Sequence, residues 1–118
     1  MDFQKAEVMA NEWILAWNRS DSDAVASHYS EDVEFQSPLV VHLLGEPSGT
    51  VSGKQNLKDY FGKVLEAFPG ELGIELVGVY QGVNSMLVHF QAKGRRAIEV
   101  MELNDEGKIN RALTLGQS

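Results

Sequence analysis

The stretch Arg95-Arg-Ala-Ile-Glu-Val-Met-Glu-Leu103 has the alternating pattern of a β-strand. Successive side chains of a strand point to opposite faces, so Glu99 shares a mostly apolar face with Ala97, Met101 and Leu103. If that face lies inside the protein, an unpaired ionised carboxyl on it is costly. Such a group usually finds a partner, stays protonated or serves a function. The stretch therefore predicts a half-buried strand whose apolar face carries one carboxyl group.

Composition and charge exclude several classes of protein. A chain of 118 residues predicts a single domain, residues 1–118, and a net charge of −7 argues against binding to nucleic acid or anionic membranes. The absence of Cys excludes disulfides and thiolate metal sites, and His28, His42 and His89 lack metal-ligand spacing, so we expect no metal or cofactor. No apolar run approaches the ~20 residues that span a bilayer, and no signal peptide is recognisable. We therefore expect a cytoplasmic protein.

Three amphipathic helices are predicted between residues 3 and 68. The first covers residues 3–18 and places Trp13 and Trp17 one turn apart, either packed in the core or with one of them lining a cavity. A short second helix covers residues 21–29, with a capping-box pattern at Ser20. The third covers residues 52–68, with a similar pattern at Ser52 and a continuous apolar stripe along one side.

Five strands are predicted, and an apolar loop follows the first of them. The first strand covers residues 32–38 and ends with Ser37 on its apolar side, before Pro38. Residues 39–49 form an apolar loop, which needs an underlying cavity, a partner chain or a short strand of its own. A meander of four strands follows, at residues 72–80, 85–91, 95–103 and 108–115. Consecutive antiparallel strands with helices on one face predict an α+β domain.

Several motifs run through the chain in a fixed order: Trp13-x3-Trp17-Asn18, Asp21, Tyr29-x2-Asp32-Val33-x-Phe35-x-Ser37-Pro38, Gly53-x3-Leu57-x2-Tyr60-Phe61 and Asp105-x-Gly107-Lys108-Ile109. In this order they resemble the nuclear transport factor 2-like superfamily, and more narrowly its SnoaL-like polyketide cyclases and ketosteroid isomerases. The resemblance implies a cone-shaped, strongly curved antiparallel sheet wrapped on N-terminal helices, a cystatin-like roll with a cavity at its wide end. It also implies a homodimer formed through the outer face of the sheet, where His89 is expected.

The resemblance to ketosteroid isomerases also implies catalytic positions. The oxyanion-hole acid of that family falls on Glu99, its oxyanion Tyr on Trp13 and its catalytic base on Ser37. A Ser without an activating partner cannot act as the base at neutral pH, and Trp can donate only one hydrogen bond. The usual steroid isomerase mechanism is therefore not expected.

The function that we expect is binding of a small apolar molecule in a hydrophobic pocket, with Glu99 as the polar anchor. Besides Glu99, Ser37 and Trp13, the predicted lining comprises Trp17, Tyr29, Tyr60, Phe61, Met86, Val88, Phe90 and Met101. One alternative is an isomerase or cyclase in which protonated Glu99 stabilises an oxyanion, with His42 as a candidate base. A second alternative is a non-catalytic dimerisation module, which a salt bridge between Arg111 and Glu99 would favour. We expect Arg111 to pair with Glu102 instead.

Overall fold

The structure is a computed structural model and describes residues 2–117. Met1 and Ser118, which the predicted domain includes, lie outside the described residues. Helices and strands follow one another in this order: α1 (Phe3–Asn18), α2 (Ser22–Ala26), β1 (Tyr29–Gln36), α3 (Pro38–Leu44), β2 (Thr50–Ser52), α4 (Lys54–Ala67), β3 (Glu75–Gln81), β4 (Ser85–Ala92), β5 (Arg95–Leu103) and β6 (Ile109–Gly116). Within residues 2–117, no helix is long and apolar enough to cross a bilayer.

All six strands form one curved sheet in the order β2-β1-β6-β5-β4-β3. Neighbouring strands are antiparallel except for β1 and β6, which run parallel. The sheet does not close, because β2 and β3 are its two edges. Helix α1 packs against β3, and α4 packs against β1 and β2. The α+β fold with N-terminal helices on a curved sheet, predicted from the sequence, is confirmed.

Strand β5 has the bounds and the orientation that the alternation predicts. Glu99, Met101 and Leu103 are buried, whereas Glu102 is exposed. The inward positions Met86 and Val88 of β4 are buried with them in one core. The apolar face of the opening stretch therefore points into the protein and carries Glu99 with it.

Residues 39–49 are not a loop throughout, because Pro38–Leu44 form helix α3. The Ser37 hydroxyl caps it by accepting a hydrogen bond from the Leu39 N–H at 3.2 Å, and Pro38 occupies the first turn. Gly45 ends the helix with a φ of 67°, the left-handed conformation that favours glycine. Ser37 thus lies outside β1, which covers Tyr29–Gln36, and the predicted strand over residues 32–38 is wrong at both ends.

The predicted second helix is wrong at both ends. Its N-cap is Asp21, whose carboxylate accepts a hydrogen bond from the Ala24 N–H at 3.0 Å, and Ser20 has a φ of 56° instead. The helix stops at Ala26, and Tyr29 begins strand β1. Tyr29 pairs with β6 and is fully buried. Because the helix is shorter than predicted, Tyr29 lies in strand β1 and its phenol is buried in the core.

The capping box predicted at Ser52 is also wrong. Helix α4 begins after Gly53, which has a φ of 87° and makes no side-chain cap. Ser52 belongs to strand β2, where its hydroxyl donates a hydrogen bond to Glu34 at 2.7 Å.

Strand β3 begins at Glu75 instead of residue 72. Just before this strand, the Asn18 side chain forms two hydrogen bonds with the backbone of Ile74. Its amide accepts from the Ile74 N–H at 2.8 Å and donates to the Ile74 carbonyl at 2.9 Å. This contact ties the C-terminal end of α1 to the chain that leads into the sheet.

Strand β6 does not follow a single alternation from its start. The pairing of β5 and β6 shifts between Glu102 and Leu103, so that Ile109 and Ala112 are both buried. A bulge of this kind changes which side chains face the core. From Ala112 onward, the inward positions include Thr114, which pairs with Glu99.

Candidate functional site

Glu99 lies at the centre of β5, between Val88 of β4 and Thr114 of β6, and is only 3% exposed. Each of its carboxyl oxygens accepts a hydrogen bond from a hydroxyl. Tyr29 donates to Oε2 at 2.7 Å, and Thr114 donates to Oε1 at 3.0 Å. Among residues 2–117, no buried side-chain nitrogen or oxygen lacks a partner. The carboxyl is therefore held in one orientation by two strands of the sheet.

The Tyr29 phenol is itself fixed by Trp13. The Trp13 Nε1–H donates to the Tyr29 oxygen at 3.0 Å. Because an indole nitrogen can only donate, the phenol proton is directed to Glu99. Three side chains from α1, β1 and β5 thus form a hydrogen-bond chain with one direction, Trp13 to Tyr29 to Glu99.

Burial determines the protonation of this cluster. It raises the pKa of Glu99 from 4.5 to about 7, although the hydrogen bonds from Tyr29 and Thr114 act in the opposite direction. Burial, followed by the neighbouring Glu99, raises the pKa of Tyr29 well above its ordinary value. Near pH 7 the Glu99 carboxyl therefore exchanges between its neutral and ionised forms, while Tyr29 stays protonated.

An apolar cavity of about 440 Å³ opens beside Glu99. Its lining comprises Trp13, Trp17, Phe35, Ser37, Leu39, Tyr60, Phe61, Val64, Phe68, Leu72, Ile74, Phe90, Ala92, Lys93, Arg95, Glu99 and Thr114. Several of the aromatic rings among them touch edge to face, as between Trp13 and Phe90 with ring centroids 5.4 Å apart, whereas Tyr60 is tilted against Phe61. Aromatic edge-to-face packing of this kind forms firm apolar walls.

The structure brings seven of the eleven predicted site residues to this cavity: Trp13, Trp17, Ser37, Tyr60, Phe61, Phe90 and Glu99. The other four, Tyr29, Met86, Val88 and Met101, do not line it and belong to the core. Alternation separates inward from outward side chains, but it does not tell which inward side chains other residues cover. Tyr29 nevertheless touches the site through its hydrogen bond to Glu99.

Ten of the seventeen lining residues were not predicted, and the polar ones among these ten are Thr114 and the two cationic residues of the β4–β5 hairpin, Lys93 and Arg95. Thr114 lies opposite Glu99 in the sheet. The bulge in β6 shifts the pairing of β5 and β6, so counting residues back from the turn between them does not give this partner. Arg95 shares a strand face with Glu99 by simple alternation, so the signal for it was present.

Other candidates lie away from the cavity. His42 is exposed on α3 and does not line it, which removes the candidate base. Arg111 pairs with Glu102 at 3.5 Å, as expected, and not with Glu99. His89 is paired with Ile98, away from the cavity lining. In the part of the chain that the structure describes, no group of three or more His, Asp or Glu residues is placed to hold a metal ion.

Ser37 lines the cavity next to Tyr60. Burial raises the pKa of Tyr60 to about 12, although a hydrogen bond with the Ser37 side chain lowers it. The hydroxyl oxygen of Ser37 also caps α3. The capping role is sufficient to explain why a Ser occupies this position.

Comparison with known proteins identifies relatives across the whole fold. A SnoaL-like domain model matches residues 10–112. A SnoaL-like protein from Burkholderia thailandensis E264 is 35% identical, with 99% of this chain and 98% of that chain covered and a TM-score of 0.92. A nuclear transport factor 2-like protein from Burkholderia xenovorans LB400 is 19% identical, with 98% and 84% covered and a TM-score of 0.73.

A more distant structure is that of SalBIII, an epoxide hydrolase/cyclase-like enzyme with a role in pyran ring formation in the polyether salinomycin. It is 21% identical, with 98% of this chain and 93% of that chain covered and a TM-score of 0.70. The search of curated proteins finds no match. The match over residues 10–112, together with the similarity of the Burkholderia thailandensis protein along its whole length, shows that this chain belongs to the SnoaL-like family of the nuclear transport factor 2-like fold.

Proposed function

We propose that this protein binds a small, mostly apolar molecule in the cavity, with Glu99 as its polar anchor. The observation that carries the proposal is a buried carboxyl in the wall of a mostly apolar, aromatic-lined cavity. Sites for small molecules are typically apolar clefts of about 300–1,000 Å³ with a few polar groups that fix orientation. The cavity beside Glu99, at about 440 Å³, has this size and this composition.

The hydrogen bonds at Glu99 suggest the chemistry of the bound group. Tyr29 and Thr114 both donate to the carboxyl, so its own proton, when present, is the donor left for a ligand. A carbonyl, lactone or ether oxygen accepts from that proton. An apolar ligand that displaces water from the cavity also favours the neutral form of the acid.

Titration followed by the fluorescence of Trp13 and Trp17 tests the proposal, because both indoles line the cavity. We expect hydrophobic ketones or lactones to change the emission in a saturable way. Glu99→Gln, which keeps a neutral donor, should retain binding, and Glu99→Leu, which has none, should weaken it. Glu102→Gln, exposed on the same strand, is the matched control and should bind like the wild type. Absence of any response across the panel contradicts the proposal.

An acid–base enzyme is the second candidate, supported by the pKa of Glu99 near 7 and by the fold shared with the cyclase-like SalBIII. Within residues 2–117, the cavity lining contains no second carboxyl and no imidazole that could serve as a base. Binding is therefore the better supported function. Exchange of the α-protons of a bound ketone into D₂O, followed by NMR, separates the two candidates. Exchange that Glu99→Gln abolishes would favour the enzyme.

The second alternative from the sequence was a dimerisation module without small-molecule binding, and the contacts of Glu99 do not favour it. Its expected signature, Glu99 paired with Arg111 over a filled core, is not what the described residues form.

We also propose that two copies of the chain associate through the outer face of the sheet. Two cross-strand rows of side chains lie there, Leu87–Val100–Leu113 and His89–Ile98–Leu115. Leu113 is 37% exposed and Leu115 49% exposed. A contiguous apolar surface of this kind favours burial against a partner. Light scattering on the wild type and on Leu113→Glu/Leu115→Glu tests this proposal, which a monomeric wild type at high micromolar concentration would contradict.

A further inference from the structure

The cavity also contains two cationic side chains, Lys93 and Arg95. They flank Gly94 in the hairpin that joins β4 to β5, are exposed to solvent and line the cavity that Glu99 also lines. Among the described residues, neither forms an ion pair within 4.0 Å. The lining itself contains no acidic group besides Glu99.

The hairpin turn presents these cations in a defined way. Lys93 and Gly94 have φ values of 51° and 80°, the left-handed pair of a two-residue type I′ turn. Gly, Asn and Asp are the residues that favour these positions, and a Lys there is conformationally costly. The turn thus keeps a Lys at the cavity although its backbone favours a smaller residue.

The spacing of Arg95 and Glu99 along β5 gives the distance between the cationic and the carboxyl ends of the cavity. Arg95 and Glu99 are four residues apart and so lie on the same face of the strand. At about 3.3 Å per residue, their Cα atoms are roughly 13 Å apart. The walls between them are apolar, with Phe90 and Trp13 among them.

Taken with the binding function proposed above, on which it rests, this arrangement leads to a ligand class. We propose that the ligand is an amphipathic carboxylic acid, with its carboxylate at Lys93 and Arg95, its apolar body in the cavity and an uncharged oxygen at Glu99. A guanidinium and an ammonium together favour a carboxylate, which Arg can bind through two parallel hydrogen bonds. The opposite orientation would bring the carboxylate beside Glu99, where like charges repel.

Three matched probes test the ligand class: 10-oxoundecanoic acid, its methyl ester and undecan-2-one. Each carries a ketone, and only the first carries a charge. Titrations at pH 7.5 and low salt, followed by tryptophan fluorescence and calorimetry, should show the acid binding about tenfold more tightly than the ester, as expected for contact with two partly exposed cations. The difference should shrink in 0.5 M NaCl, because salt screens exposed charges.

Variants of the hairpin locate the carboxylate. In Lys93→Gln/Arg95→Gln the ratio of acid to ester affinity should fall to about one. Arg96→Gln, a neighbouring cation that does not line the cavity, should keep the wild-type ratio.

Each outcome of these titrations has one meaning. Equal affinity for acid and ester in the wild type overturns the ligand class and leaves the binding function intact. A preference for the acid that the double variant does not reduce also overturns the proposal, since the carboxylate then lies elsewhere. If none of the three probes binds while other ketones or lactones do, the ligand class fails alone. If no compound binds, the proposed function fails with it.

Discussion

Replacing Glu99 by Gln should remove a large part of the pH dependence of stability. Burial raises the pKa of Glu99 from 4.5 to about 7, so between these values the folded protein holds a proton that the unfolded chain has released. The stability that this group contributes is fully present below pH 4.5 and is lost as the pH rises through 7. At about 1.36 kcal/mol per pH unit, the loss is roughly 3 kcal/mol.

Gln suits this position because its amide is uncharged at every pH. Its oxygen can accept from Tyr29, and its NH₂ can donate to the Thr114 hydroxyl, which is able to accept as well as to donate. The variant should therefore fold and resemble the protonated wild type.

Urea denaturation at pH 5 and pH 8, followed by the fluorescence of Trp13 and Trp17, measures the effect. Between pH 5 and pH 8, the unfolding free energy of Glu99→Gln should fall by roughly 2.5 kcal/mol less than that of the wild type, because a small part of the loss already occurs below pH 5. Burial lowers the pKa of His28, which makes stability rise with pH, but this contribution is common to both proteins and cancels in the comparison.

Glu102→Gln is the control, because Glu102 is an exposed carboxylate on the same strand. It should keep the wild-type dependence on pH. If Glu99→Gln and the wild type give parallel curves of stability against pH, within about 0.5 kcal/mol, the reasoning about a neutral buried carboxyl is wrong.

Three further changes probe the hydrogen bonds of the site. Tyr29→Phe removes a donor from Glu99 and leaves the Trp13 N–H without its acceptor, so we expect a higher Glu99 pKa and a stability loss of about 1–3 kcal/mol, measured by NMR titration and urea denaturation. Thr114→Val, nearly equal in volume, should also raise the Glu99 pKa above about 7; an unchanged value would contradict the hydrogen bond. Ser37→Ala should lower stability by about 1 kcal/mol through loss of the α3 cap, whereas Ser37→Thr, which keeps the capping hydroxyl, should lower it less.

The sequence was sufficient to predict the inward face of β5 and the burial of Glu99, because alternation in a strand is a local property. It was not sufficient for the partners of Glu99. Tyr29 lies seventy residues away, and its position depends on where a five-residue helix ends. So short a helix has few periodic positions by which to fix its boundaries.

Helix α3 shows a different kind of failure. Its start and stop signals, Ser37 before Pro38 and Gly45 at the end, are present in the sequence. Seven mostly apolar residues show no amphipathic pattern, so the segment resembled an apolar loop. Of the three alternatives expected for this apolar segment, which were an underlying cavity, a partner chain and a short strand, the cavity agrees with the position of Leu39 in the lining.

The transfer of roles from the resemblance was partly informative. Trp13 falls on the family's oxyanion Tyr and does reach the site, but it acts on Glu99 only through Tyr29. Ser37 falls on the family's base and lines the cavity while capping a helix. The family positions thus correspond to three residues that line one cavity, Trp13, Ser37 and Glu99, but their hydrogen bonds differ from the roles that the resemblance implies.

Titration of the carboxyl ¹³C resonance of Glu99 by NMR, with and without saturating undecan-2-one, tests whether this acid anchors a ligand. We expect a pKa of about 7 in the free protein and a higher value when the ketone fills the cavity. A pKa near the ordinary ~4.3, unchanged by the ketone and by every other ligand of the panel, would contradict the claim that Glu99 anchors a ligand in an apolar cavity.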